Sequence, residues 1–208
     1  MLHIKTLILG SYQVNCYIVH AEGDSRCVVI DPGYEPERIL GYLEEQNLSL
    51  QGVLLTHGHF DHVGAVHALV EKTGCALWLC HPDCTMPNTP QFPQLLPLME
   101  EELPNASFYQ DEDIVELAGL TFRVLHTPGH SLGSVCLEVE DVIFTGDTLF
   151  AGTCGRTDLP GSSQRSIMAS LARLKNLPYD RIVYPGHGYP TTLNNQRRSN
   201  PYLLAIED

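Results

Sequence analysis

Six consecutive residues, His57-Gly58-His59-Phe60-Asp61-His62, contain four side chains able to bind a metal ion. They follow an apolar stretch, Gly52-Val53-Leu54-Leu55-Thr56, and precede an amphipathic one over 63–73, so they fall where a strand ends and a helix begins. A chain built around this run can therefore close a strand end and a helix start around a cation. On extended backbone, residues two apart point the same way, which lets His57 and His59 reach one ion. Asp61 and His62, at the turn into the helix, face a second. Imidazoles mixed with carboxylates suit zinc, with iron and manganese also compatible. The plainer reading makes Asp61 a helix N-cap and leaves the histidines to solvent. The chain has only 10 histidines, however, and three of them at these spacings argue for a site.

The rest of the chain supplies the frame. Its 208 residues suit one domain with a full core, and a 43% hydrophobic and 18% charged composition is that of a globular protein. The net charge of −13 excludes nucleic acid as the main partner, because phosphate binding needs a basic footprint. Seven cysteines lie mostly in apolar runs and read as small buried hydrophobes. An odd count with no basic-then-apolar leader implies a reducing compartment, and no apolar run approaches a membrane span, so the expected location is the cytoplasm.

Patterning predicts strands near 2–9, 15–21 and 26–31, a helix near 35–46, a strand near 52–56, a helix from about 62 to 73 and a strand over 76–80. Residues 82–110, with several prolines and no period, read as a long loop with short helical pieces. Strands follow near 113–117, 120–126, 134–139 and 141–145, with Ala118-Gly119 and Glu140-Asp141 as hairpin turns, then a helix near 163–175 and a strand near 181–184. Two halves of this kind predict two sheets packed face to face with helices outside. Cys80-His81-x-x-Cys84 lacks a second ligand pair at zinc-finger spacing and reads as structural, and Cys154 as a packing residue.

Three later segments each end a strand-like run on a metal-capable residue. They are Thr127-Pro128-Gly129-His130, Phe144-Thr145-Gly146-Asp147 and Tyr184-Pro185-Gly186-His187. Each alone is a weak signal that reads more readily as a structural turn. Together with the dense run they are best explained by one shared site.

In order and context, His57-x-His59-x-Asp61-His62, His130, Asp147 and His187 resemble the metallo-β-lactamase superfamily, from Asn15-Cys16-Tyr17 through Val29-Ile30-Asp31-Pro32-Gly33 to Pro185-Gly186-His187-Gly188. The resemblance implies an α/β fold, the αβ/βα four-layer sandwich. It implies that His57, His59 and His130 hold one metal, that Asp61, His62 and His187 hold a second, and that Asp147 bridges them. The segment Gly146 to Gly161 is similar to glyoxalase II and its relatives, which hydrolyse hydroxyacylglutathione thioesters. In that comparison Arg156 and Tyr189 contact the glutathione moiety; read on their own, Arg156 pairs with Asp158 and Tyr189 packs.

Only Gly188 to Asp208 follow His187, where full-length glyoxalase II carries a helical glutathione-binding domain. The expectation is therefore a single metallo-β-lactamase-like domain over 1–208. The implied activity is a thioester hydrolase, S-lactoylglutathione or a related hydroxyacylglutathione being the substrate. Two divalent ions, zinc first, acidify a shared water to hydroxide, and Asp61 orients it. The competing reading is a persulfide dioxygenase using His57, His59 and His130 for one iron; a lactonase or other ester hydrolase is a further alternative.

Overall fold

The computed structural model describes residues 1–84 and 106–207, the side chain of Cys84 excepted. The first half builds a six-stranded sheet from β1 (Leu2–Leu9), β2 (Val14–Ala21), β3 (Arg26–Ile30), β4 (Ser49–Leu54), β5 (Ala76–Leu79) and β6 (Ala106–Phe108), in that spatial order. The strands up to β3 pair antiparallel and those from β3 onward parallel. Parallel neighbours need crossovers. These are α1 (Pro36–Glu45) between β3 and β4, then α2 (Phe60–Val63) and α3 (Val66–Thr73) between β4 and β5. After α4 (His81–Cys84) and β6, the second half contributes β7 (Ile114–Leu117), β8 (Leu120–His126), β9 (Val135–Val139), β10 (Val142–Gly146), β13 (Ile182–Pro185) and β14 (Thr191–Thr192). They lie in the order β14-β13-β10-β9-β8-β7. A ribbon of β11 (Leu149–Phe150) and β12 (Thr153–Cys154) precedes α5 (Gln164–Lys175), and α6 (Leu193–Ser199) and α7 (Pro201–Leu204) close the described chain.

The central strands are apolar on both faces, and the period of two sorts their side chains into layers. Tyr17, Val19, Val28, Ile30 and Leu54 meet Phe122, Val124, Val135, Leu137, Val142 and Phe144 between the sheets. Their neighbours Ile18, Cys27, Val29, Val53 and Leu55 face outward under Ile39, Leu43, Val66 and Leu69 of α1 and α3. Leu125, Cys136, Ile143 and Val183 face the other way under Ile167, Leu171 and Leu174 of α5, with Leu193 and Leu203. The result is helix, sheet, sheet, helix: the αβ/βα sandwich. Cys16, Cys27, Cys75 and Cys136 are buried free thiols, and Cys154 packs half-buried on the α5 side. No helix among the described residues is long and apolar enough to cross a membrane.

Both two-residue hairpins form as patterned, with Ala118 and Gly119 at φ 54° and 73° and Glu140 at φ 50°. Four features depart from the sequence-based expectation. The helix of 62–73 is two pieces, α2 and α3. At the break, Gly64 lies so close to Gly33 that a Cβ would stand 2.2 Å from the Gly33 carbonyl oxygen, and Ala65 N donates to Pro32 O at 2.9 Å. The strand of 52–56 begins at Ser49, where it registers with Arg26 of β3. The expected loop over 82–110 contains the end of α4 and the edge strand β6, paired with β5; its residues 85–105 lie outside the described residues. Beyond His187, β14, α6 and α7 form a cap that packs on α5.

Candidate metal centre

All seven expected ligands gather on one rim of the sandwich. His57 and His59 follow β4, Asp61 and His62 lie on α2, His130 is in the β8–β9 loop, Asp147 follows β10 and His187 follows β13. The first four therefore come from one sheet and the last three from the other. Backbone bonds stitch the rim together: Val135 N to Thr56 O at 2.8 Å, Gly186 N to Gly146 O at 2.8 Å and Asn15 N to Gly186 O at 2.7 Å. Asn15 Nδ2 also donates to Pro185 O and Gly188 O, and Tyr17 OH to Pro185 O, so β2 grips the loop that carries His187. Gly146, just before Asp147, has φ +47°, and a Cβ there would stand 2.2 Å from Thr56 Oγ1; a larger residue would lever Asp147 away.

The side chains gather into two triads. Ligand atoms of His57, His59 and His130 lie within 4.8 Å of one another, and so do those of Asp61, His62 and His187. Asp147 stands between them, with Oδ2 3.4 Å from His130 Nε2 and Oδ1 3.4 Å from His62 Nε2. Asp61 Oδ2 is 3.3 Å from His187 Nε2. Asp61 is not the cap of α2: His59 holds that position, with no side-chain capping bond, and Asp61 sits buried inside the first turn.

Second partners set the ring orientations. His130 Nδ1 lies 2.9 Å from Arg156 O, and a carbonyl only accepts, so that nitrogen carries the proton and Nε2 turns a lone pair toward the triad. His62 Nδ1 likewise faces Asp31 Oδ2 at 3.0 Å. Asp31 belongs to a third group of close ligand atoms, with His57 and His62. Its oxygens are already engaged by Thr56 N at 2.8 Å and Thr56 Oγ1 at 2.6 Å, so it orients His62 rather than offering a ligand position of its own.

The residues fit a cationic occupant. His57 Nε2, His59 Nε2 and Asp147 Oδ1 are buried without a hydrogen-bond partner, a costly state for polar atoms unless an ion satisfies them. Burial, reinforced by the neighbouring imidazoles, drives His57 well below the usual histidine range; burial and His130 bring His59 to about 3. Both are thus neutral donors, as a metal requires. Burial also pulls His62 down, but Asp147, Asp31 and Asp61 outweigh it and raise it to about 9. Burial works against the Asp61 anion, yet His187 and His62 hold it at about 2.

The sequence of a family model for the metallo-beta-lactamase superfamily matches residues 9–187. The chain belongs to the metallo-β-lactamase superfamily. It is 38% identical to hydroxyacylglutathione hydrolase GloC of Haemophilus influenzae, over 97% of this chain and 98% of that one. Among solved structures of the superfamily it is similar to BLEG-1 B3 metallo-beta-lactamase, with TM-score 0.84 and 31% identity over 97% of this chain and 99% of that one. It is also similar to TTHA1623 in a di-iron-bound form, with TM-score 0.83 and 38% identity over 96% and 100%.

The two substrate residues suggested by the sequence stand apart from the triads in character. Arg156 forks onto Asp158, with Nε to Oδ1 at 2.6 Å and Nη2 to Oδ2 at 2.7 Å, and both side chains are exposed. Tyr189 does not pack: it is 86% exposed. Sequence reasoning passed over Asp31, Thr56 and the Arg156 carbonyl as orienting groups. Asp31 had a legible signal, since Ile30-Asp31-Pro32-Gly33 ends an apolar strand as Asp147 does. The Arg156 carbonyl had none, because any residue can supply a backbone oxygen, and Thr56 had none because its hydroxyl acts on Asp31, 25 positions away.

Proposed function

We propose that this metal-dependent hydrolase cleaves the thioester of hydroxyacylglutathiones, S-lactoylglutathione first. Supporting the reading is the juxtaposition of two triads around Asp147, with buried lone pairs that lack partners. The thioester preference rests on the near full-length likeness to a hydroxyacylglutathione hydrolase. In this proposal His57, His59 and His130 hold one divalent ion, Asp61, His62 and His187 hold another, and Asp147 serves both. When bound, such a pair supplies water activation near neutral pH and polarisation of the substrate carbonyl. The chain's own residues do the rest. Asp61, held as an anion, accepts a hydrogen bond from a proton-bearing group and orients it. His62 and His130 keep their rings fixed through Asp31 and the Arg156 carbonyl. A thiolate leaves readily, so no residue need act as a strong general acid.

Zinc is the first candidate; the di-iron form of one similar structure supports iron as the alternative. Because the site draws four ligands from one sheet and three from the other, residues 1–208 are proposed to act as one unit. Arg156 is proposed to meet the glutathione carboxylates from the rim, and Tyr189 to lie alongside.

The test is steady-state kinetics on S-lactoylglutathione together with metal analysis of the same sample. Turnover with about two ions per chain is expected. One iron per chain with oxygen uptake on glutathione persulfide would instead assign the dioxygenase. Turnover confined to a β-lactam or a lactone would move the substrate while leaving the centre in place.

A further inference from the structure

Asp83, on α4, is 1% exposed; its hydrogen bonds run to two backbone amides and a serine hydroxyl, and His130 acts on it through its charge. Its Oδ2 accepts from Gly58 N at 2.8 Å and from Ser131 Oγ at 2.8 Å, and its Oδ1 accepts from Gly133 N at 2.7 Å. Gly58 lies between His57 and His59, and Ser131 follows His130. One carboxylate thus grips the backbone of both loops that bring the first triad together. Those loops belong to different sheets and lie more than seventy positions apart in sequence, since His59 and His130 are separated by 71.

We propose that Asp83 is the positioning residue of the first triad: it sets the spacing of His57 and His59 against His130 and thereby the affinity of that site for a metal ion. This rests on the reading that those histidines hold an ion. The chemistry favours a positioning role over simple filling. A buried carboxylate is expensive, and an apolar side chain would fill the same space more cheaply. Burial raises the Asp83 carboxyl, and the Ser131, Gly58 and Gly133 donors oppose that rise. The donors leave the carboxylate little freedom to shift. Ser131 is itself fixed. Its only hydroxyl proton goes to Asp83, so Ser134 Oγ, 2.7 Å away, donates to it while accepting from Ser131 N at 3.1 Å. The second triad has no such link to Asp83 and is anchored through Asp31 and β2 instead.

Asp83→Asn is the same size but cannot accept at both ends, so either the Gly58 or the Gly133 amide faces an NH2 group. Each triad is read alone by pairing it with a second substitution in the full chain: Asp61→Asn leaves the first triad whole, His130→Ala the second. Zinc affinity is measured by competition with a chromophoric chelator, and the cobalt(II) absorption spectrum reports ligand geometry. Asp83→Asn is expected to weaken zinc at the first triad by about 10- to 100-fold, the usual effect of losing an outer partner, and to shift its cobalt spectrum. The second triad is expected to keep its affinity.

Unchanged affinity and spectrum at the first triad would overturn the proposal. So would equal losses at both triads with a matching fall in the unfolding midpoint of the metal-free protein, which is the signature of a structural role alone. Where Asp83→Asn fails to fold, Ser131→Ala decides. It removes one donor while Gly58 N still engages Oδ2, and a loss on the order of tenfold at the first triad is expected; no loss overturns the proposal. A chain with Asp83 intact that binds no zinc at the first triad would refute the metal-centre reading itself, which is distinguishable from failure of Asp83 alone.

Discussion

Replacing Asp147 by asparagine should loosen both metal sites together. The substitution keeps size and shape and removes one negative charge. The geometry makes the loss symmetrical: one oxygen stands 3.4 Å from His130 of the first triad and the other 3.4 Å from His62 of the second. A unit charge against a divalent ion at ~4 Å, with an effective dielectric near 20, is worth about 8 kcal/mol. The amide oxygen and an incoming water return roughly half of that, leaving on the order of 4 kcal/mol, or about a thousandfold in affinity. The assay is zinc competition against a chromophoric chelator, with metal content counted after dialysis. Asp61→Asn, run in parallel, should weaken the second site far more than the first, because the histidines Asp61 pairs with are His62 and His187. If Asp147→Asn kept both ions at their original affinity, or lost only one, the placement of this carboxylate between two ions would be wrong.

Four further outcomes follow from the same structure. Asp61→Asn should lower kcat by on the order of 10² or more, measured on S-lactoylglutathione at saturating metal, because it removes a preorganised anion from the site; an unchanged kcat with both ions bound would refute its orienting role. Arg156→Ala should raise KM only on the order of two- to fivefold with kcat intact, since the guanidinium is exposed and already forked onto Asp158, so a large fall in kcat would place it nearer the chemistry. Phe122→Ala, which empties a fully buried position between the sheets, should cost about 3–5 kcal/mol in denaturant unfolding without changing metal content. Burial pushes the Cys27 and Cys136 thiols to about 12, so at neutral pH both stay protonated and should resist alkylation until the protein unfolds, with half-buried Cys154 modified ahead of them in a mass-mapped time course.

Much of the local structure was legible in the chain. Short continuous apolar runs mark the central strands, and Ala118-Gly119 and Glu140-Asp141 mark turns, because apolar runs and turn chemistry are properties of neighbouring residues. The break between α2 and α3 was not legible, since its cause is Gly33, a residue on another loop. The edge strand β6 was equally hidden: three residues become a strand only because β5 offers them a ladder.

The same division runs through the centre. The types and order of the seven candidate ligands and the acidic, apolar-cored chain around them were determined by the sequence alone, because a metal-capable residue at the end of an apolar run is a local pattern. Which ligand meets which was decided only by the tertiary structure. His59 Nδ1 and His130 Nε2 come 2.8 Å apart, and Asp147 stands 3.4 Å from a histidine of each triad, through the packing of one sheet on the other. The orienting groups belong to that level too. Asp31 on His62, the Arg156 carbonyl on His130 and Asp83 on two loops act across long stretches of sequence, where only the folded backbone sets the distance.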